Sequence, residues 1–71
     1  MRHTQAVVLR KYVNQFVDCS KCAVRVHRTD DYEGCWAVRV YDLNNGSIIE
    51  VGNPNRSSVR GLVTFAKFGD M

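Results

Sequence analysis

Two stretches of this chain alternate strictly between apolar and polar positions. Cys22-Ala-Val-Arg-Val-His27 and Cys35-Trp-Ala-Val-Arg-Val-Tyr-Asp42 share the tetrapeptide Ala-Val-Arg-Val, at 23–26 and 37–40. A period of two marks a strand with one buried face. The turn-rich segment Arg28–Gly34 separates the two runs. Asn44-Asn45-Gly46 follows the second run, and Asn-Gly favours a two-residue hairpin because both residues tolerate positive φ. That turn predicts a third strand over Ser47–Val51, stopped by Gly52-Asn53-Pro54-Asn55.

The ends of the chain follow a different period. Ala6, Leu9, Val13, Phe16 and Val17 recur at three- and four-residue steps. They predict a helix over Thr4–Val17 with Thr4 as its N-cap. Val59, Leu62, Val63 and Ala66 do the same over Ser57–Phe68, where Ser57 or Ser58 can cap. Strands over Gln5–Val13 and Leu62–Phe68 are the alternatives, since valine and aromatic residues suit a pleated surface.

These elements predict one α+β domain over residues 1–71, in the order α-β-β-β-α. Three antiparallel strands form the sheet, and the N- and C-terminal helices cover one of its faces. With strands at the ends the alternative is a mostly β, small barrel-like domain. The Asn45-Gly46 turn sets Val40 opposite Val51 and Asp42 opposite Ile49. Pairing His27 with Cys35 sets Val24 opposite Val38 and Val26 opposite Trp36. One face then carries Cys22, Val24, Val26, Trp36, Val38, Val40, Ile49 and Val51. The other carries Ala23, Arg25, His27, Cys35, Ala37, Arg39, Tyr41 and Glu50, with Tyr41 and Glu50 as a cross-strand pair.

This second face is the candidate contact surface. Arginine and tyrosine are enriched at binding hot spots, and arginine pairs with carboxylate or phosphate. Arg25, His27, Arg39 and Tyr41 lie on it, and Arg28, Arg56 and Arg60 are the further basic candidates. Plain solvent-facing arginines on the wet face of an antiparallel sheet are the competing reading.

Composition narrows the function. With 71 residues there is room for one domain and little for a deep, polar-lined pocket. No Ser/His/Asp set or paired carboxylates stand out, the glycines form no phosphate cradle, and a non-enzymatic protein without cofactor or small-molecule substrate is expected. The net charge of +3 permits an acidic protein surface or nucleic acid as partner and requires neither. Three cysteines, an odd number, suit free thiols in the cytoplasm better than a secreted disulfide scaffold. No apolar run approaches a membrane span or a signal peptide. The chain reads as a complete small protein.

Cys19-x-x-Cys22 followed by His27 opens like a zinc knuckle, leaving Cys19 and Cys22 as weak metal candidates. The spacing to Cys35 is too long for a knuckle. An alternating strand also puts Cys22 and His27 on opposite faces, roughly 16 Å apart at about 3.3 Å per residue. Four ligands near about 2.0–2.3 Å from one ion cannot be met that way.

The element order resembles that of the double-stranded-RNA-binding domain, by topology alone. In that family the second helix opens with a lysine-rich run that grips phosphates. The matching stretch here, Asn55-Arg56-Ser57-Ser58-Val59-Arg60, has two arginines and no lysine cluster, so family membership does not follow. Two functions therefore compete. One is a small regulator or inhibitor that docks on a larger protein or nucleoprotein complex, as small phage and mobile-element proteins do against host nucleic-acid machinery. The other is direct nucleic-acid binding through the surface arginines, with Tyr41 or Tyr32 stacking on bases.

Overall fold

A computed structural model describes residues 1–70. The elements are α1 (His3–Asn14), β1 (Cys22–Arg28), β2 (Trp36–Asp42), β3 (Ile48–Val51) and α2 (Arg56–Phe68). The strands form one antiparallel sheet in the order β1-β2-β3. Both helices pack on the same face of it, so the architecture is the two-layer α-β-β-β-α arrangement and not a closed barrel. No helix among the described residues is long and apolar enough to cross a membrane.

The core forms where the two periodicities meet. Val24, Val38, Val40, Cys22 and Val51 point from the sheet into the space filled by Ala6 and Val13 of α1 and Leu62 and Ala66 of α2. Leu9, Val17, Val26, Trp36, Ile49, Val63 and Phe65 close the margins. Alanines on the helices suit the valine-rich sheet, because small residues let the two layers approach closely.

Both helix ends differ from the sequence expectation. Thr4 lies inside α1, which stops at Asn14. The Gln15 and Phe16 N–H groups donate to Tyr12 and Val13 carbonyls, a tight final turn, and the Asp18 N–H then donates to the Ala66 carbonyl of α2. That tertiary bond draws the chain away from the helix axis before Val17. At α2 the cap is Asn55, not a serine. Its side chain accepts from the Ser58 N–H at 2.9 Å, and the Ser58 hydroxyl accepts from the Asn55 N–H at 2.8 Å. This reciprocal pair satisfies two donors at the helix start.

Within α2, a Cβ at Gly61 would meet no atom within 4 Å. Glycine there carries a helix cost of about 1 kcal/mol with nothing gained in packing. Gly61→Ala is expected to stabilise the domain by about 0.5–1 kcal/mol, read as a higher urea midpoint at unchanged m.

Both hairpin registers are displaced by two residues from the expected ones. Val24 pairs with Val40 and Val26 with Val38, while Val40 pairs with Ile49 and Val38 with Val51. The glutamate on β3 accordingly sits opposite Arg39, and Tyr41 sits opposite Ile48. An even displacement leaves every side chain on its expected face, so the apolar face survives the correction.

The displacements have local causes. Asn45-Gly46 does not close a two-residue turn. Asp42 instead starts a wider loop: its N–H donates to the Ser47 carbonyl at 2.8 Å and its carbonyl accepts from the Gly46 N–H at 3.0 Å. Its carboxylate accepts from the Asn44 and Asn45 N–H groups at 2.8 and 3.2 Å. An aspartate that satisfies the following backbone donors outcompetes the Asn-Gly turn. At the other hairpin, Cys35 is not a strand residue. It has φ 64° and closes the loop with Thr29, whose N–H donates to the Cys35 carbonyl at 3.1 Å.

Asp42 also fastens the C-terminal tail. Its second carboxylate oxygen accepts from the Asp70 N–H at 2.8 Å. Donation from Asp70, then from Asn44 and Asn45, holds its carboxyl below the usual aspartate range despite burial that opposes this. The Ser20 hydroxyl and N–H lower Asp18 in the same way. A carboxylate with a depressed folded pKa adds stability above its unfolded pKa of about 3.9, and that stability is lost as pH falls through the folded value. The melting temperature is expected to be flat from pH 7 to about 5 and to fall below about pH 4. Asp42→Asn should lower the neutral-pH melting temperature and flatten the acid limb, and an acid limb of unchanged steepness would exclude Asp42 as its source.

Candidate functional site

The alternation in β1, β2 and β3 leaves one sheet face without a covering helix. Ala23, Arg25 and His27 of β1, Ala37, Arg39 and Tyr41 of β2, and Ile48 and Glu50 of β3 lie on it. This outer face is not uniform.

Its β3 side is internally satisfied. Arg39 Nε donates to Glu50 Oε1 at 2.6 Å across the ladder. Hydrogen bonds to Glu50 and to Tyr41 push the Arg39 guanidinium above its ordinary range. Burial, followed by the nearby Glu50 charge, pushes the Tyr32 phenol up. Tyr32 reaches this position because the Thr29–Cys35 loop folds back over the sheet. Its ring lies on Gly52, where an added Cβ would come within 2.0 Å of the ring. Continuing the β2–β3 register places Gly52 beside Ala37, which explains why Ala37 is fully buried on the open face.

Its β1 side is free. Arg25 is exposed and sits directly opposite Arg39. Its guanidinium donates to the Val24 backbone carbonyl at 3.0 Å and has no carboxylate partner among the described residues. His27 is half-buried beside it, opposite Ala37. At the far edge of the face, Ile48 of β3, 52% exposed, stands opposite Tyr41 and adds an apolar edge. The open part of the face is thus a cation on β1, with Tyr41 on β2 and Ile48 on β3 forming an aromatic and apolar strip across the sheet from it.

The remaining basic candidates lie elsewhere. Arg28 pairs with Trp36 at the end of the ladder, on the parity of the helix-covered face, and is exposed. Arg56 and Arg60 stand on α2, where they line an open groove of about 620 Å³ between the helices together with Tyr12, Pro54 and Lys67. The structure therefore brings Arg25, His27, Arg39 and Tyr41 together and separates Arg56 and Arg60 from them by the thickness of the domain.

Tyr32, Gly52 and Ile48 escape the sequence reading of the face as shaping elements. Tyr32 falls in a loop with no period, and Gly52 reads as a strand stop. Ile48 is the missed residue with a signal: it alternates with Glu50 in the inferred third strand.

The cysteines have separate environments. Cys22 is buried and its thiol donates to the Phe65 carbonyl at 3.3 Å, whereas Cys19 is exposed and Cys35 half-buried; all three are free. Burial, then the charges of Asp42 and Asp18, push the Cys22 thiol up. Among the described residues no three His, Cys, Asp or Glu side chains gather to hold a metal ion.

No family model, curated protein or solved structure matches this chain.

Proposed function

We propose that this chain is a small non-enzymatic binding protein that docks on a larger protein through its open sheet face. The observation that supports this reading is Arg25: an exposed arginine without a carboxylate partner, on a face that neither helix covers, diagonal to Tyr41 on the neighbouring strand, with exposed Ile48 beyond it on β3. Arginine next to aromatic and aliphatic surface is the composition of binding hot spots. Arg39, tied to Glu50, contributes less free charge. Nucleic acid is the weaker alternative, because only one unpaired cation occupies the centre of the face, and phosphate tracking needs several. In this reading the protein works in a reducing cytoplasm, where its thiols stay free, and regulates its partner by occlusion.

The test uses Arg25→Glu alone, since changing Arg39 would also release Glu50. A photo-crosslinker placed at Ile48 is expected to capture a protein from the host cell, and Arg25→Glu should reduce that capture about tenfold or more with the fold intact. A tenfold loss is about 1.4 kcal/mol, within the range of a hot-spot residue. Exposed substitutions change stability by only about 0.5 kcal/mol, so circular dichroism should be unchanged. Capture indifferent to Arg25→Glu rules out the sheet face. Micromolar binding to short DNA or RNA with a steep salt slope, abolished by the same substitution, establishes the nucleic-acid alternative instead.

A further inference from the structure

The charges of this protein are sorted between its layers. Neither α1 nor α2 contains an aspartate or glutamate. All the acidic residues lie in loops, strands or the tail. The helical layer is therefore the basic side of the molecule, although the sequence suggests the sheet.

On α2 the cations form one stripe. Arg56, Arg60 and Lys67 recur at steps of four and seven, which places them on a common flank. The stripe spans about 16 Å at about 1.5 Å per residue. It lines the open groove between the helices, together with Tyr12 of α1 and Pro54 at the groove's end. Lys67 is positioned there by the Phe16 ring, with its ammonium 5.1 Å from the ring centre.

The other wall is apolar. Tyr12 and Pro54 also line a second groove, which continues over α1 past Val8 and Leu9. Val8 is 67% exposed and Tyr12 47% exposed. Their spacing of four residues puts them on one flank of α1. The combined surface is a trough with a cationic rail on one side and an aliphatic and aromatic rail on the other.

We infer that this trough binds an acidic amphipathic helix of a partner protein, with the partner's carboxylates on Arg56, Arg60 and Lys67 and its apolar stripe on Val8, Tyr12 and Pro54. A helix offers both chemistries at the right spacing, apolar residues at i, i+3, i+4 and i+7 and acids on the adjoining flank. A phosphate backbone matches only the cationic rail and leaves Val8 in water. This site is on the opposite layer from the sheet face proposed above and does not depend on it. A protein with both would bridge two partners.

The probe is a fluorescein-labelled peptide of about 18 residues, about 27 Å as a helix, with leucines at heptad spacing and glutamates along one flank. Two comparison probes are the same peptide with glutamine for every glutamate and a DNA duplex of about 20 base pairs. The expected result is anisotropy binding on the order of 10–100 µM for the acidic peptide, weakened at least tenfold in the glutamine version. Arg56→Glu with Arg60→Glu, and separately Val8→Asp, should each weaken it at least tenfold. Arg25→Glu should leave it unchanged, which separates failure here from failure of the sheet-face reading. Arg60→Gln serves if the double substitution disturbs the fold. Absence of binding to about 1 mM, equal binding of the glutamine peptide, or tighter binding of the duplex through the same arginines would overturn the inference.

Discussion

Leu62→Ala is expected to destabilise the domain by about 2–5 kcal/mol, the largest effect of any single truncation in the chain. Leu62 is the largest fully buried side chain, and its neighbours in that class are Val13, Val24, Val38 and Val40. Valine is short and stiff about χ1, so a core whose other fully buried side chains are valines refills a leucine-sized void poorly. The cavity therefore persists and adds to the lost transfer free energy. A domain of this length has a total stability on the order of 4–10 kcal/mol. A loss of about 3 kcal/mol would lower the melting temperature by roughly 12–24 °C. Urea unfolding followed by circular dichroism measures it directly. A loss below about 1 kcal/mol would mean that the layers close over the gap and that Leu62 is not the centre of the core.

Gly52→Ala should cost about 1–3 kcal/mol, as overpacking does when a rigid neighbour occupies the space. The new Cβ would come within 2.0 Å of the Tyr32 ring at its root, not at a movable tip. Tyr32 must then leave the sheet, moving its phenol away from Glu50 and uncovering Ala37. The cause can be isolated by a double-mutant cycle. In a Tyr32→Ala background the three ring atoms nearest to the new Cβ are gone, and its cost should fall to within about 0.5 kcal/mol of zero. Additive costs would show that Gly52 is required for its backbone and not for the ring.

The same pair bears on docking. Releasing Tyr32 removes its ring from the β3 side of the sheet face and changes the surface around Ala37 and Glu50. Gly52→Ala is thus expected to weaken binding at the sheet face even where the domain remains folded.

Much of this architecture is legible in the order of residues alone. A period of two in 22–27 and 35–42 marks two of the strands, and periods of three and four at both ends favour the helices that complete the α-β-β-β-α order over the strands that valine and aromatic residues also allow. They also dictate which side chains face the core, because parity survives an error of two residues in register. The Ala-Val-Arg-Val repeat belongs to this class. Its valines enter the core and its arginines emerge opposite each other, as the alternation requires. What the alternation cannot carry is the competition among nearby partners for the same groups. Asp42 against Asn45-Gly46 for the turn, Ala66 against the next helical turn for the Asp18 N–H, and Glu50 against solvent for Arg39 are each decided by what the folded chain brings within hydrogen-bond reach. The two arginines of the repeat are therefore equivalent in sequence and different in the protein: one is held in an ion pair, and the other is free. Likewise, the sorting of charge into an acid-free helical layer exists only once α1 and α2 lie side by side, since their cations are more than forty residues apart along the chain.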